Sequence, residues 1–255
     1  MLRSRRLRMD ELRRKALTHA GYVVFPGLVP AGLVSAANAA ITRDLALRYD
    51  PRRQVEYDNR SYCPRLRGRP PIMQLLTSPP VADLIEEVFG WENVAHCKGQ
   101  IAIRRAHSAE RREKAEPHID GIATPHNGVR SKSISNFTAL VGVYLTKTPR
   151  TYAGNFTVWP GSHQVLERWF RQRGKRAMRE GMPRAEIGRP RQLRHDVGHV
   201  VLAHYQLAHT AAVNTSDVDR RAVYFRVWLR DVGKRRWELL TNIWRGWRTH
   251  ADGEA

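Results

Sequence analysis

The sequence predicts a mainly β fold, an antiparallel barrel or jelly roll, with helices before and around it. From about residue 93 onward, short apolar runs alternate with turns. In residues 137–146 every second position is apolar, which is typical of a strand with two different faces. No helical pattern separates these runs into βα units, so an antiparallel arrangement is favoured over a parallel sheet.

The first 92 residues show helical periodicity instead. We expect helices at residues 9–20, 30–48 and 80–90, because apolar side chains recur there at helical spacing. A short strand is expected at residues 21–28, where a Pro-Gly pair ends an apolar run. This part is therefore predicted to be mostly helical and to lie outside the β core.

The predicted core covers residues 93–230 and is followed by a closing segment at 231–255. Strands are expected at residues 96–104, 137–146, 155–159, 199–204 and 222–230. An arginine-rich segment around 164–190 should contain an amphipathic helix packed outside the barrel, and residues 237–247 should form a helix or lid. With 255 residues in all, we expect a single domain.

The cysteines and the hydropathy limit the class of protein. Cys63 and Cys97 do not form a Cys-x-x-Cys pair, which argues against a thiolate zinc site. No window is as apolar as a membrane span, and the basic N-terminus is not followed by the apolar region of a secretory signal. We therefore expect a cytoplasmic protein.

The net charge of +20 has two interpretations. With 37 arginines and 7 lysines, it is explained either by compositional bias or by attraction to an anionic partner. Such a partner would be a nucleotide, a coenzyme A thioester or a carrier-bound substrate. The basic residues are spread over the chain, without the patch or stripe that indicates nucleic-acid binding. A small-molecule substrate is expected, and the oligomeric state is left open.

The stretch His118-Ile119-Asp120 carries the first chemical signal. In a strand, residues i and i+2 point to the same face, so His118 and Asp120 would project together into the barrel. One imidazole and one carboxylate can occupy two adjacent positions around a metal ion. A second histidine from a distant strand would complete the two-histidine-one-carboxylate triad of non-haem iron(II) oxygenases. Such a triplet occurs in many chains, and a surface turn is the alternative.

Residues further along the chain strengthen this interpretation. His209 supplies a distant histidine, and Arg220 stands just before the apolar residues 222–225. The planar guanidinium of an arginine can bind the distal carboxylate of 2-oxoglutarate through two hydrogen bonds. Arg221 would face the opposite side of the strand, so only one of the pair can serve.

Four motifs follow one another along the chain: the segment 21–27, His118-Ile119-Asp120, the segment 160–163, and His209 followed by Arg220. In this order they resemble the phytanoyl-CoA dioxygenase family, which includes the ectoine hydroxylases. The resemblance covers roughly residues 10–230 and implies a double-stranded β-helix, the cupin-like jelly roll. It also implies that His118, Asp120 and His209 bind iron(II), and that Arg220 anchors 2-oxoglutarate as co-substrate with O2.

The resemblance leaves other contacts to the co-substrate open. A polar or basic residue before the His-x-Asp motif helps to hold 2-oxoglutarate in the family, and Lys98, Gln100, Arg104 and Arg105 are the candidates. Family members often have Gly-Ser after the distal histidine, where this chain has Thr210-Ala211. Thr210 is the candidate for replacing that serine. Because Asp120 fills the position that a chloride takes in related halogenases, hydroxylation is favoured.

Three functions follow as hypotheses. The first is a 2-oxoglutarate-dependent oxygenase that hydroxylates an unactivated carbon, with desaturation, epoxidation or cyclisation as alternative outcomes. The second is a non-catalytic jelly-roll protein that keeps a metal, and the third is a basic nucleic-acid-binding protein. For the oxygenase we expect an anionic substrate, because basic residues flank the metal motif on both sides: Arg104, Arg105, Arg111, Arg112, Lys114, Arg130 and Lys132.

Overall fold

The computed structural model describes residues 9–107 and 115–250, apart from the side chain of His96. Its first half is rich in helices. The helices are α1 (Glu11–Ala20), α2 (Ala31–Arg48), α3 (Gln54–Asn59), α4 (Pro70–Thr77), α5 (Val81–Val88), α6 (Ser162–Arg173) and α7 (Arg236–Thr241). Helix α1 begins where the Asp10 carboxylate accepts a hydrogen bond from the Arg13 amide, and it ends at Gly21 in the left-handed conformation.

The strands form two antiparallel sheets. They are β1 (Tyr22–Phe25), β2 (Val94–His96), β3 (Gly99–Arg104), β4 (Ala139–Tyr144), β5 (Phe156–Val158), β6 (Arg191–Gln192), β7 (Val200–His204), β8 (His209–Ala211) and β9 (Arg220–Leu229). The larger sheet has the order β1-β7-β4-β9-β2, with β3 also paired to β9, and the smaller sheet has the order β6-β5-β8. The mainly β fold with flanking helices is thus confirmed.

The two faces of the larger sheet are buried in different ways. On β9, Val223, Phe225 and Val227 join the core that includes helices α2, α4 and α5, whereas Ala222 and Tyr224 join a second core with Phe156 of the smaller sheet. The strand alternation therefore separates a helix-covered face from an inner face that looks toward the smaller sheet. The inner face carries the candidate site.

Several predicted elements differ from the observed ones. Residues 118–120 do not form a regular strand; only one isolated bridge links His118 to His209. The strand expected at 96–104 is divided into β2 and β3, which both pair with β9. Helices α3 and α4 were not expected, and α7 is shorter than the helix predicted at 237–247. Among the described residues, no helix is long and apolar enough to cross a membrane.

Candidate metal and co-substrate site

A cavity of about 1200 Å³ opens between the inner face of the larger sheet and the smaller sheet. Its wall includes every residue of the predicted site: His118, Asp120, His209, Arg220, Gln100, Arg104 and Thr210. Residues that lie far apart in the sequence are therefore brought together in one concave site, as expected of a small-molecule site.

Backbone hydrogen bonds position the two histidines side by side. The amide of His118 donates to the carbonyl of His209 over 3.0 Å, and the amide of His209 donates back over 2.9 Å. The motif turns away at Gly121, whose φ is 80° and where a Cβ atom would lie 2.2 Å from the carbonyl oxygen of Ser135. Glycine is thus required directly after Asp120, because any side chain would push the motif out of place.

The three side chains form a compact group of metal-binding atoms. Oδ1 of Asp120 lies 3.8 Å from Nε2 of His118 and 3.8 Å from Nε2 of His209. One ligand atom from each residue lies within 4.8 Å of the others, so the group could hold one metal ion. Two imidazoles and one carboxylate are the donor set that suits non-haem iron(II) and leaves further coordination positions free.

The protonation states favour metal binding. Nδ1 of His209 lies 2.9 Å from the carbonyl oxygen of Leu207, which can only accept, so Nδ1 carries the proton and Nε2 presents its lone pair. Desolvation by the cavity walls and the neighbouring His209 lower the pKa of His118 to about 4. Burial would raise the pKa of Asp120, but the charges of Arg226, His209 and His118, together with the hydrogen bond from Arg226, outweigh burial and lower the pKa to about 2.

Arg226 holds the other oxygen of the carboxylate. Its Nε and Nη2 lie 3.0 and 2.8 Å from Oδ2 of Asp120, and its Nη1 donates to Oε1 of Gln100 over 2.7 Å. The guanidinium also lies over the ring of Phe137. With Oδ2 fixed in this way, Oδ1 faces the two histidines. Arg226 therefore orients the carboxylate of the candidate metal site.

Arg220 lies at the other end of the cavity and is almost fully buried. Its Nε donates to the carbonyl of Gly154 over 2.7 Å, and its Nη1 donates to the carbonyl of Ala102 over 3.1 Å. Nη2 makes no hydrogen bond within the described part of the chain. Arg221 faces away, and its Nη1 donates to Thr42 of α2. Arg220 therefore faces the cavity and Arg221 faces the opposite side of β9, as expected from the sequence.

The further co-substrate candidates occupy different places. Arg104 pairs directly with Arg220 across β3 and β9, and its nearest carboxylate is Asp58 at 3.9 Å. Gln100 lies beside Arg226, nearer the histidines, and Thr210 lies on the wall formed by the smaller sheet. Of the other two candidates, Arg105 is paired with Asp219 and Lys98 is exposed outside the cavity wall.

Sequence reasoning missed three residues behind and beside this site: Arg226, Tyr224 and His195. Arg226 and Tyr224 follow Arg220 at even spacing on β9, and this period-two pattern could have placed both on the cavity face. The hydroxyls of Tyr224 and Tyr144 lie 3.3 Å apart, and the ring of Tyr144 is stacked on buried His195 at 3.7 Å. No simple pattern in the sequence indicates this second contact.

Of the four described basic residues that were expected around the metal motif, three do not line the cavity. Arg105 is bound to Asp219, and Arg130 and Lys132 are exposed outside the cavity wall. Arg111, Arg112 and Lys114 lie outside the described residues. Of the basic residues in that prediction that the structure describes, only Arg104 lies on the cavity wall.

The comparison with protein families identifies the class. Two facing antiparallel sheets around a His-Asp-His group are the arrangement of the iron(II)- and 2-oxoglutarate-dependent oxygenases, and the model described as phytanoyl-CoA dioxygenase (PhyH) matches residues 17–222. The chain belongs to this family and is a 2-oxoglutarate-dependent oxygenase. Enzymes of the family use iron(II), 2-oxoglutarate and O2. No curated protein matches the chain in the sequence comparison.

Solved structures share the fold at low sequence identity. One is the non-heme alpha ketoglutarate dependent epimerase SnoN from nogalamycin biosynthesis (TM-score 0.55, 20% identity, 85% of this chain and 80% of that chain). Another is the carbocyclase SnoK from the same biosynthesis (TM-score 0.53, 18% identity, 89% and 90%). A third is iron-bound HygX from Streptomyces hygroscopicus (TM-score 0.53, 17% identity, 86% and 87%). These similarities show the fold.

Proposed function

We propose that this protein hydroxylates an unactivated carbon of a small or medium-sized metabolite, with iron(II) held by His118, Asp120 and His209. The observation that carries the proposal is the position of this group in a cavity whose far end holds a buried arginine, Arg220. Two imidazoles and one carboxylate fit iron(II), and the guanidinium of Arg220 fits the distal carboxylate of 2-oxoglutarate.

Each residue has a distinct role in this proposal. Arg220 binds the distal carboxylate of 2-oxoglutarate with the guanidinium edge that its two backbone acceptors leave free, and Arg104 adds positive charge beside it. His118 and His209 present neutral imidazoles to the metal, and Arg226 fixes Asp120. When bound, iron(II) with 2-oxoglutarate and O2 supplies the oxidising chemistry that inserts oxygen into a C–H bond.

The same site supports other oxidative outcomes. Two proteins with this fold, SnoN and SnoK, are an epimerase and a carbocyclase, so epimerisation and ring formation are alternatives to hydroxylation. Asp120 favours hydroxylation over halogenation, since its carboxylate occupies the position that a halide would need. The two free cysteines, Cys63 and Cys97, fit a reducing compartment such as the cytoplasm.

The test is a screen for succinate release that depends on iron(II), 2-oxoglutarate and an added substrate. Candidates should include acyl-CoA, nucleotide, amino-acid and carrier-bound compounds, and products should be identified by mass. A gain of one oxygen atom supports hydroxylation. If the iron-loaded protein binds 2-oxoglutarate but releases no succinate with or without any substrate, the alternative of a non-catalytic metal-binding jelly roll is favoured.

A further inference from the structure

The charged residues on the cavity wall do not balance. Among the described residues, the wall carries five arginines: Arg60, Arg67, Arg104, Arg220 and Arg226. It carries three carboxylates: Asp58, Glu116 and Asp120. Two positive charges therefore remain, and they are not removed by iron(II) and the dianionic co-substrate, because those two charges cancel each other. One of the two remaining positive charges is offset from outside the wall, because Nη1 of Arg60 lies 4.0 Å from Oε1 of Glu56. One positive charge on the cavity wall is therefore left without a partner among the described residues.

Four of the five arginines are placed in two pairs at opposite ends of the inner face of β9. Arg220 and Arg104 are direct cross-strand neighbours at one end. Arg226 lies at the other end, and Arg67 is bonded there to Gly99, which pairs with Phe225, the chain neighbour of Arg226. Like charges brought together in a partly dry cavity are unfavourable unless an anion joins them. In the proposed function the distal carboxylate of 2-oxoglutarate serves the first pair. In the second pair Arg226 is already bound by Asp120, which leaves Arg67.

Once the co-substrate is assigned to Arg220, Arg67 is the wall arginine left without a carboxylate partner among the described residues. Its Nε donates to the carbonyl of Gly99 over 3.3 Å, while its own carbonyl accepts from the amide of Gly99 over 2.9 Å. These two contacts fix the residue to the start of β3. Within the described part of the chain, no carboxylate lies within 4 Å of its guanidinium, and its terminal nitrogens make no hydrogen bond. Burial, followed by the charge of Arg226, lowers its pKa from the usual range.

Arg226 differs because it is already held by Asp120 and Gln100. It therefore adds charge to the Arg67 end but keeps its position. Gln100, which accepts a hydrogen bond from Arg226, also lines the cavity, and Trp228, two residues beyond Arg226 on the same face of β9, adds an aromatic wall. A substrate with one anionic group at Arg67 could extend along this wall toward the candidate iron site.

We propose that Arg67, supported by Arg226, is the binding site for an anionic group, a carboxylate or a phosphate, of the primary substrate. This inference rests on the proposed function, since it assigns the remaining end of the same cavity. It differs from the basic rim expected from the sequence, because the selecting charge lies inside the cavity on the segment before β3. A substrate anion would be bound at the opposite end from 2-oxoglutarate, with the C–H bond to be attacked between them.

The test uses the whole protein loaded with Mn(II) and saturated with 2-oxoglutarate under anaerobic conditions, titrated calorimetrically with inorganic phosphate or acetate. Acetamide serves as the neutral analogue of acetate. We expect one further anion to bind, acetamide not to bind, and Arg67→Gln to weaken anion binding by about tenfold or more. Arg69→Gln is the matched control, because Arg69 is exposed two residues away and does not line the cavity.

The outcomes separate this inference from the proposed function. A stronger response to phosphate than to acetate assigns a phosphoryl group, and the reverse assigns a carboxylate. If 2-oxoglutarate binds normally but neither anion binds, or if Arg67→Gln and wild type bind the anion equally, the anion site is wrong while the oxygenase assignment stands. If Mn(II) and 2-oxoglutarate themselves do not bind, the proposed function fails first.

Discussion

At the residue scale, the two oxygens of the Asp120 carboxylate have different contacts. One oxygen faces the histidine nitrogens at 3.8 Å, and the other is bound by Arg226 at 2.8 Å. An arginine next to a metal ligand keeps the carboxylate ionised, but it also competes with the metal for its charge. In this site the competition is limited, because Arg226 contacts only Oδ2 and leaves Oδ1 to the histidines.

The first prediction concerns this contact. Replacing Arg226 with Gln should weaken iron(II) binding by about 10–100-fold, because the carboxylate loses the partner that orients it. Arg226→Lys should recover part of the affinity through its charge. Anaerobic calorimetry measures both. Arg230→Gln, directly after the end of the same strand, is the control, since Arg230 is exposed and contacts the carbonyl of Glu92. Unchanged iron affinity in Arg226→Gln would show that Asp120 does not need this support.

The second prediction concerns the co-substrate. Arg220→Ala should cost about 2–5 kcal/mol of 2-oxoglutarate binding, because a buried carboxylate would lose its charged partner. This loss corresponds to a dissociation constant raised by roughly thirtyfold or more. Arg221→Ala should have little effect, since its side chain contacts Thr42 on the helix-covered face. If Arg221→Ala shows the larger loss in the same binding assay, the assignment of the anchor is wrong.

At the element scale, β9 organises the cavity. Its even-numbered residues place Arg220, Tyr224 and Arg226 on the inner face, and its odd-numbered apolar residues face the helices. The loop before β5 crosses directly over the start of this strand. There Gly154 accepts the hydrogen bond of Arg220, and a Cβ atom on Gly154 would lie 2.9 Å from the Cβ atoms of Arg104 and Arg220.

The third prediction follows from this close approach. Gly154→Ala should raise the 2-oxoglutarate requirement, because the added methyl group displaces both arginines, and it should also strain a backbone with a φ of 72°. Gly174→Ala is the matched control: its φ is 75°, and nothing lies within 4 Å of the new Cβ. Steady-state kinetics with varied 2-oxoglutarate distinguish the two. Equal Michaelis constants in both variants would mean that the contact at Gly154 does not position Arg220.

The sequence predicted the elements with regular apolar patterns and missed those without them. Helix α5 and strand β4 lie within two residues of the predicted bounds, because their buried side chains recur with a single period. Helices α3 and α4 begin at Gln54 and Pro70, and neither pattern was recognised in this arginine- and proline-rich segment. The segment His118–Asp120 was expected in a strand, but it is held by an isolated bridge between His118 and His209, the first residue of β8, and such a contact has no periodicity to detect.

The sequence motifs predicted the candidate metal ligands and Arg220, but not the other residues that line the cavity. The order of His118, Asp120, His209 and Arg220 along the chain was sufficient to expect one site. Arg67 and Asp58 reach the cavity from irregular or short helical segments, so their positions depend on tertiary packing. Because the chain contains 37 arginines, composition alone could not identify Arg104 and Arg67 as the two that lie beside Arg220 and Arg226.

At the whole-molecule scale, the closing segment covers buried histidines. His204 is stacked on Trp247 and its Nε2 donates to the carbonyl of Ile243, and His163 packs against Trp244. Burial lowers the pKa of His204 to about 3 and that of His163 to about 4. Both imidazoles are therefore neutral in the folded protein at neutral pH, and their packing joins the C-terminal residues to the sheet.

The fourth prediction is a loss of stability in mild acid. The unfolded histidines bind protons below a pKa of about 6.5, whereas the folded ones resist protonation until about pH 4 or 3. The contribution is thus complete above pH 6.5 and falls as the pH decreases toward 4, by on the order of 1–3 kcal/mol for each histidine. Urea denaturation between pH 7.5 and 4.5 measures it. Equal free energies of unfolding across that range would contradict the account.

The central claim is that His118, Asp120 and His209 together bind the iron that turns over 2-oxoglutarate. The most direct measurement combines anaerobic iron(II) titration with succinate release for wild type, Asp120→Ala and His126→Ala, the last altering an exposed loop histidine. We predict that wild type and His126→Ala bind one iron per chain and release succinate, whereas Asp120→Ala keeps its fold by circular dichroism but loses both properties. An Asp120→Ala protein with wild-type iron affinity and succinate release would contradict the assignment.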